Sequence, residues 1–277
     1  MAEPIVYGVL VGGFVGAAAG YLGSVMISKR MALVGDALSH VALPGLALGF
    51  LFNFNPFLGA FALLATSAVL TWYLQRTTEL PVESIVGVIF VLALAIGILI
   101  TPQVELYEAL FGDVSTVTVY DAAVTAVVSV AAVLVLKTIY NDLALTMISR
   151  ELAVASRVKV ERINLIFLLL VSTVVAVGIK EVGTLLVGAV VIVPAAAARN
   201  VSSSLSRYAL LSAAFGVVSA LAGVLLSGPS GQPAGPLVVL VGAAIFAVGI
   251  AVRAAAKRGG SLAETKESAQ DSFAGVN

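Results

Sequence analysis

Nine apolar runs, at about residues 5–28, 36–52, 57–74, 84–101, 117–136, 163–179, 184–198, 208–227 and 237–252, occupy most of a chain of 277 residues. At about 1.5 Å of rise per residue, most of them reach across the roughly 30 Å hydrocarbon core of a bilayer as helices. Lipid gives the backbone no hydrogen-bonding partner, so such a chain folds as a bundle of membrane-spanning helices. The predicted fold is an all-α polytopic membrane protein of about nine transmembrane helices, with eight and ten as the bounds. Composition agrees: 60% of residues are hydrophobic, 11% are charged, and the mean hydropathy is +1.11, more apolar surface than a soluble domain hides. Runs 36–52 and 184–198 are short and carry Pro44-Gly45 and Pro194, so they are expected to be tilted or broken and screened from lipid by neighbours. Run 5–28 follows Met1-Ala-Glu-Pro4, which lacks positive charge, and is too long for a signal peptide; it reads as the first transmembrane helix.

Charge sorts by side. Alternating through nine spans from an outside N-terminus puts Lys29, Arg30, Arg76, Lys137, Arg150, Arg157, Lys159, Arg162, Arg199, Arg207, Arg253, Lys257, Arg258 and Lys266 in the cytoplasm. Only Lys180 of the 15 Lys and Arg falls outside, which is the asymmetry that the positive-inside rule demands. The outer side receives Glu3, Glu105, Glu108, Asp113, Asp121 and Glu181. This set reads either as ordinary wetted loops or as a surface that attracts a cation. Residues 1–258 form one transmembrane domain, and the polar stretch 259–277 is expected to be a disordered cytoplasmic tail.

Asp36 and His40, the sole histidine, stand one helical turn apart in the second run. An ionisable pair costs several kcal/mol at membrane depth and so needs a partner or a task. The i,i+4 spacing puts carboxylate and imidazole on one helix face, where a divalent ion can be shared between oxygen and nitrogen. His40 lies ten residues after Arg30, about 15 Å along a helix, which is near the membrane midplane where an alternating-access carrier holds its cargo. One histidine and no cysteine cannot close a four-ligand structural zinc site. Waters, backbone carbonyls, another carboxylate or a second copy must complete the shell. The competing reading is a buried Asp–His hydrogen bond that fastens two helices.

The absence of cysteine also excludes disulfides and thiolate nucleophiles. No basic stripe suits nucleic acid. No His-Glu-x-x-His pair and no Gly-x-x-x-x-Gly-Lys-Ser/Thr loop is present, so neither zinc hydrolase chemistry nor P-loop ATP hydrolysis resides in this chain. Gly12, Gly16 and Gly20, with Gly13 and Ala17 beside them, and the faces Gly216, Ala220, Gly223 and Gly183, Ala189 are spaced for close helix packing. In the connector 138–162, Ser149 can cap a short helix with Glu151 in its first turn and Leu152, Val154 and Ala155 on an apolar side. Such a helix either docks in a partner's groove or lies on the membrane interface.

Three segments together resemble the permease subunits of ATP-binding-cassette importers for zinc, manganese or iron(II). They are Arg30-Met-Ala-Leu-Val-Gly-Asp-Ala-Leu-Ser-His-Val-Ala-Leu-Pro-Gly45, Leu110-Phe-Gly-Asp113, and Val182-Gly-Thr-Leu-Leu-Val-Gly-Ala-Val-Val-Ile-Val-Pro-Ala-Ala-Ala-Ala-Arg199. The resemblance, covering about 5–252, implies a type II ABC-importer-like permease bundle in a prokaryotic plasma membrane. It implies transported manganese or zinc, less readily iron(II), bound at Asp36 and His40. It also implies a pore or gate at Pro44, Gly45 and Pro194, and an ATPase-coupling segment carrying Arg150, Glu151, Leu152 and Ala155. Implied partners are a second permease copy, two cytoplasmic ATPase subunits that use the ATP, and an extracytoplasmic metal-binding protein. The family's small Ala-x-Gly turn is replaced here around Ser156-Arg157-Val158. A non-transporting membrane scaffold or a metal exporter subunit is the alternative.

Overall fold

The computed structural model describes the backbone of residues 2–101, 109–112 and 117–274, and the side chains of 6–101, 109–112, 117–180 and 182–254. Ten helices of six residues or more stand in this part: α1 Ala2–Ser28, α2 Ala32–Phe52, α3 Pro56–Thr77, α4 Val82–Ile100, α5 Val119–Ile148, α6 Arg150–Ala155, α7 Val160–Val182, α8 Val187–Val201, α9 Leu205–Ser230 and α10 Ala234–Ala274. Eight are long and apolar enough to cross a membrane; α8 is apolar but only 15 residues long. Each of the nine apolar runs therefore becomes a helix. In α10 the membrane-length part is Ala234–Ala254, and the side chains of the polar tail lie outside the described residues. So do Asp113, Glu105 and Glu108 of the acidic set, and the side chains of Glu3 and Glu181.

The boundaries follow local chemistry. Asn55 accepts a hydrogen bond from Phe57 N at 3.0 Å, with Pro56 beginning α3. Thr118 and Asp121 close a capping box on α5. Asn53 takes a left-handed conformation, φ 55°, that ends α2. Contrary to the expectation of a break, α2 runs uninterrupted through Pro44, because buried packing all round Val41–Ala47 holds the helix across the missing donor.

Burial separates inner from outer helices. Two-thirds (67%) of the apolar window of α1 and of α2 is buried, against 22% in α4 and in α10. The outward face of α4 carries Val88, Val91, Leu92, Ile96 and Leu99, a run that only a lipid surface or a protein partner accommodates. The α1 glycines are spent inside the chain: the backbones of Gly16 and Gly216 touch, and Gly20 lies against Ser212, whose hydroxyl donates to the Gly20 carbonyl at 2.5 Å. At Gly23, α1 meets the Val191 carbonyl of α8. Short α8 is thus enclosed by α1, α2, α9 and α10, as its length requires.

Side-chain links define two ends. At one, Lys29 donates to Asn164 Oδ1 (2.8 Å), Trp72 Nε1 donates to the Glu161 carbonyl (2.9 Å), and Tyr140 donates to the Leu205 carbonyl (3.1 Å). At the other, Lys180 and Asp121 form an ion pair at 2.6 Å. The helices alternate between these ends, and the Lys and Arg of the connectors gather at the first.

Candidate functional site

Asp36 and His40 sit on α2, which begins at Ala32. The 15 Å measured from Arg30 therefore shortens to about 12 Å from the helix start. Leu33 is exposed, Asp36, Ala37 and His40 are half-buried, and Val34, Gly35, Leu38 and Ser39 are buried. The pair thus occupies the strip of α2 that a single chain leaves least covered. His40 Nδ1 is buried without a hydrogen-bond partner. The Asp36 carboxylate enters no ion pair among the described residues, and the Ser39 hydroxyl donates to the Asp36 backbone carbonyl (2.6 Å) and not to the carboxylate. Among the described residues no Asp–His hydrogen bond fastens two helices. A carboxylate and an imidazole share this face, and a resident structural metal site would need more: among the described residues no three His, Asp or Glu gather.

Two neighbours of the pair were not singled out from the sequence. Phe90 of α4 lies against the His40 ring, centroids 5.2 Å apart at 52°. It is the only aromatic residue in Val82–Ile100, which is the signal that could have found it. Gly188 of α8 faces Asp36 so closely that a methyl placed on it would lie 2.5 Å from Asp36 Oδ1 and 2.6 Å from its Cα. Its place in the small-residue stretch after Gly183 was the only hint.

Pro44 and Gly45 are buried at helix contacts. Gly45 touches the Gly59 backbone of α3, and a methyl on Gly97 of α4 would come within 3.1 Å of Pro44 Cδ. Pro44 has no N–H to give the His40 carbonyl four residues back, so one backbone oxygen beside the pair loses its ladder bond. Pro194, buried in α8, treats the Val190 carbonyl likewise. Leu110-Phe-Gly112 and the start of the third segment meet at the other end: Thr184 N donates to the Ala109 carbonyl (3.0 Å) and Leu185 N to that of Leu110 (3.1 Å). Gly183, φ 81°, packs on Leu110 where no side chain fits.

The connector helix α6 forms as its cap predicts. Ser149 Oγ accepts from Leu152 N at 3.1 Å and donates to Glu151 at 2.6 Å, a bond that draws the Glu151 carboxyl below its usual range. Arg150 donates to Glu161 at 2.7 Å. Ala153 is fully buried, whereas Arg150, Glu151, Leu152, Val154 and Ala155 are exposed, so Leu152, Val154 and Ala155 are left uncovered by the described residues. At the altered turn Arg157 takes the left-handed conformation, φ 63°, with Val158 N donating to Ala153 O and Arg157 N to Val154 O, both 2.9 Å. This is a Schellman closure with arginine where glycine is favoured.

A bundle of lipid-facing helices around an unpartnered carboxylate–imidazole pair near mid-span defines a multi-pass membrane protein of the transporter class. The chain belongs to the ABC 3 transport family, whose family model matches residues 1–253. It is 33% identical over 239 residues to the manganese transport system membrane protein MntC of Halalkalibacterium halodurans, covering 84% of this chain and 82% of that protein. It is 29% identical over 254 residues, 90% and 97% of the two chains, to the high-affinity zinc uptake system membrane protein ZnuB of Buchnera aphidicola. The solved structure of PsaBC from Streptococcus pneumoniae in complex with Fab superposes with a TM-score of 0.77 at 28% identity, covering 87% of this chain and 89% of that one.

Proposed function

We propose that this chain is the membrane-spanning subunit of an ATP-driven importer of manganese or zinc, with iron(II) a weaker candidate. The observation that carries this reading is the half-buried pair Asp36 and His40, whose carboxylate and Nδ1 have no hydrogen-bond or ion-pair partner among the described residues. Borderline zinc favours the imidazole and harder manganese favours the carboxylate, so one such pair passes both and leaves selection to the protein that delivers the metal. An ionisable strip cannot face lipid at that depth. A second copy of the chain covers it and brings its own pair, completing a transient shell with water and the carbonyls freed at Pro44 and Pro194.

The basic end faces the cytoplasm, which puts the N-terminus outside and the C-terminus inside. There the exposed Leu152, Val154 and Ala155 of α6, flanked by Arg150 and Glu151, seat one of two ATPase subunits, which hydrolyse the ATP. An extracytoplasmic binding protein delivers metal at the opposite end, where Leu110–Gly112 covers Gly183. Pro44, Gly45 and Pro194 act by shaping the close approach of α2, α3 and α8 around the path. Co-reconstitution with the ATPase subunit and the binding protein tests this: ATP-dependent uptake of radiolabelled manganese or zinc is expected. Its absence would sink the importer reading, and metal movement without the binding protein would indicate an exporter.

A further inference from the structure

At the basic end a cavity of about 310 Å³ opens between the α8–α9 turn and α10, lined by Arg199, Ser202, Ser203, Ser204, Leu205 and Arg253. Among the described residues no carboxylate lines it. Elsewhere at this end Arg76 and Arg150 lie on Glu161 and Lys29 donates to Asn164, while Lys159 and Arg162 are exposed and do not line this cavity. Among the described residues, Arg199, Arg207 and Arg253 enter no ion pair. They are nevertheless positioned. Arg199 stacks on the Tyr208 ring, 5.3 Å from its centre; Arg253 donates to Asn200 Oδ1 (3.4 Å) and Arg207 to Ser203 Oγ (3.5 Å). Ser204 is taken up in capping α9, which leaves the Ser202 and Ser203 hydroxyls free to donate.

We infer that this cavity is a binding site for a phosphate group, with the phosphodiester of an anionic membrane lipid as its favoured source. Two guanidinium forks and two hydroxyl donors match tetrahedral phosphate oxygens better than they match a lone charge. Exposed carbon stands near it in the chain: Leu205 in its lining, Val252 next to Arg253 and Val248 one helical turn before Val252 are 39%, 53% and 62% exposed, apolar surface for acyl chains beside the head-group. The site is independent of the metal path and of the importer reading.

Native mass spectrometry of the full-length chain, purified in detergent and offered phosphatidylglycerol, phosphatidylcholine or inorganic phosphate, tests it. Wild type should retain phosphatidylglycerol over phosphatidylcholine, and Arg199→Gln/Arg253→Gln should lower that retention about 30-fold, at one phosphate contact per arginine. Arg253→Gln alone, which spares the Tyr208 stacking, should lose about fivefold. Arg199→Lys/Arg253→Lys should fall between wild type and the glutamine pair, because charge persists without the fork. Lys159→Gln/Arg162→Gln, exposed at the same end but outside the cavity, should leave retention unchanged. Inorganic phosphate that protects wild type but not the double variant from thermal unfolding would assign the same site to a soluble phosphate. Equal loss in Lys159→Gln/Arg162→Gln would reduce the effect to diffuse surface charge and overturn the site, as would no preference for either phosphate source.

Discussion

Replacing Gly188 with alanine tests how closely α8 must approach Asp36 and His40, the proposed metal ligands. The added methyl would sit 2.5 Å from Asp36 Oδ1, 2.6 Å from Cα and 2.9 Å from Cβ, where carbon contacts ordinarily lie at about 3.5–4.0 Å. The carboxylate oxygen could rotate away, but Cα and Cβ cannot, so α2 and α8 must part by about 1 Å. Overpacking of this kind costs about 1–3 kcal/mol. A constellation that must be held to within about 0.5 Å loses far more function than stability, and a misplacement of about 1 Å is enough for a loss on the order of 100-fold. Gly87→Ala is the control, since a methyl there meets nothing within 4 Å and gains about 1 kcal/mol of helix propensity. With both variants in proteoliposomes alongside the ATPase and binding protein, metal uptake at matched protein level should collapse for Gly188→Ala and hold for Gly87→Ala. Wild-type uptake by Gly188→Ala, or equal damage from Gly87→Ala, would refute the reasoning.

Asp36→Asn and His40→Ala should each abolish or sharply reduce metal flux with membrane insertion intact, because a span without either charge is equally or more apolar; undiminished uptake by the double variant would contradict this, and loss of assembled protein would restore a fastening role. Changing Glu151 and Leu152 together should leave ATP hydrolysis running without transport, and a crosslinking scan with no ATPase contact in 140–160 would remove the assignment. Arg157→Gly should stabilise the α6 turn by about 1 kcal/mol by relieving the left-handed arginine, read as slower amide exchange at Val158; unchanged exchange would mean that the turn carries no strain. Lys29, just beyond the first span, is held by burial at a pKa of about 8 against 10.5 when free. The unfolded chain therefore binds more protons between these values, and stability should rise as pH climbs from about 8 to 10.5. Lys29→Met should flatten that slope in a thermal-shift series, and an unchanged slope would place the titrating group elsewhere.

The sequence alone disclosed membrane class, the nine apolar runs, of which eight become helices of membrane-crossing length, charge asymmetry and the Asp36–His40 spacing, because each rests on local rules: run length against bilayer thickness, and a four-residue interval against helical pitch. The small-residue stripe at Gly12, Gly16 and Gly20 announced close packing but not its partner, since spacing records how near a neighbour comes and not which neighbour it is. The cap at Ser149 predicted α6, and the left-handed Arg157 shows how the chain closes that turn without the family's glycine.

Tertiary structure decided the rest. Residues of other helices set the surroundings of the pair: Phe90 of α4 lies against the imidazole, Gly188 of α8 admits Asp36, and Gly59 of α3 receives Gly45. Whether Pro44 breaks its helix was likewise unreadable from its neighbours in the chain, because the cost of a missing N–H is local but the packing that offsets it comes from α3, α4 and α8. The unpaired arginines around the α8–α9 turn carry no mark in the sequence that separates them from Arg76 and Arg150. Only the fold brings Glu161 to one group and leaves the other open, because charge pairing depends on distance in space and the sequence records distance along the chain.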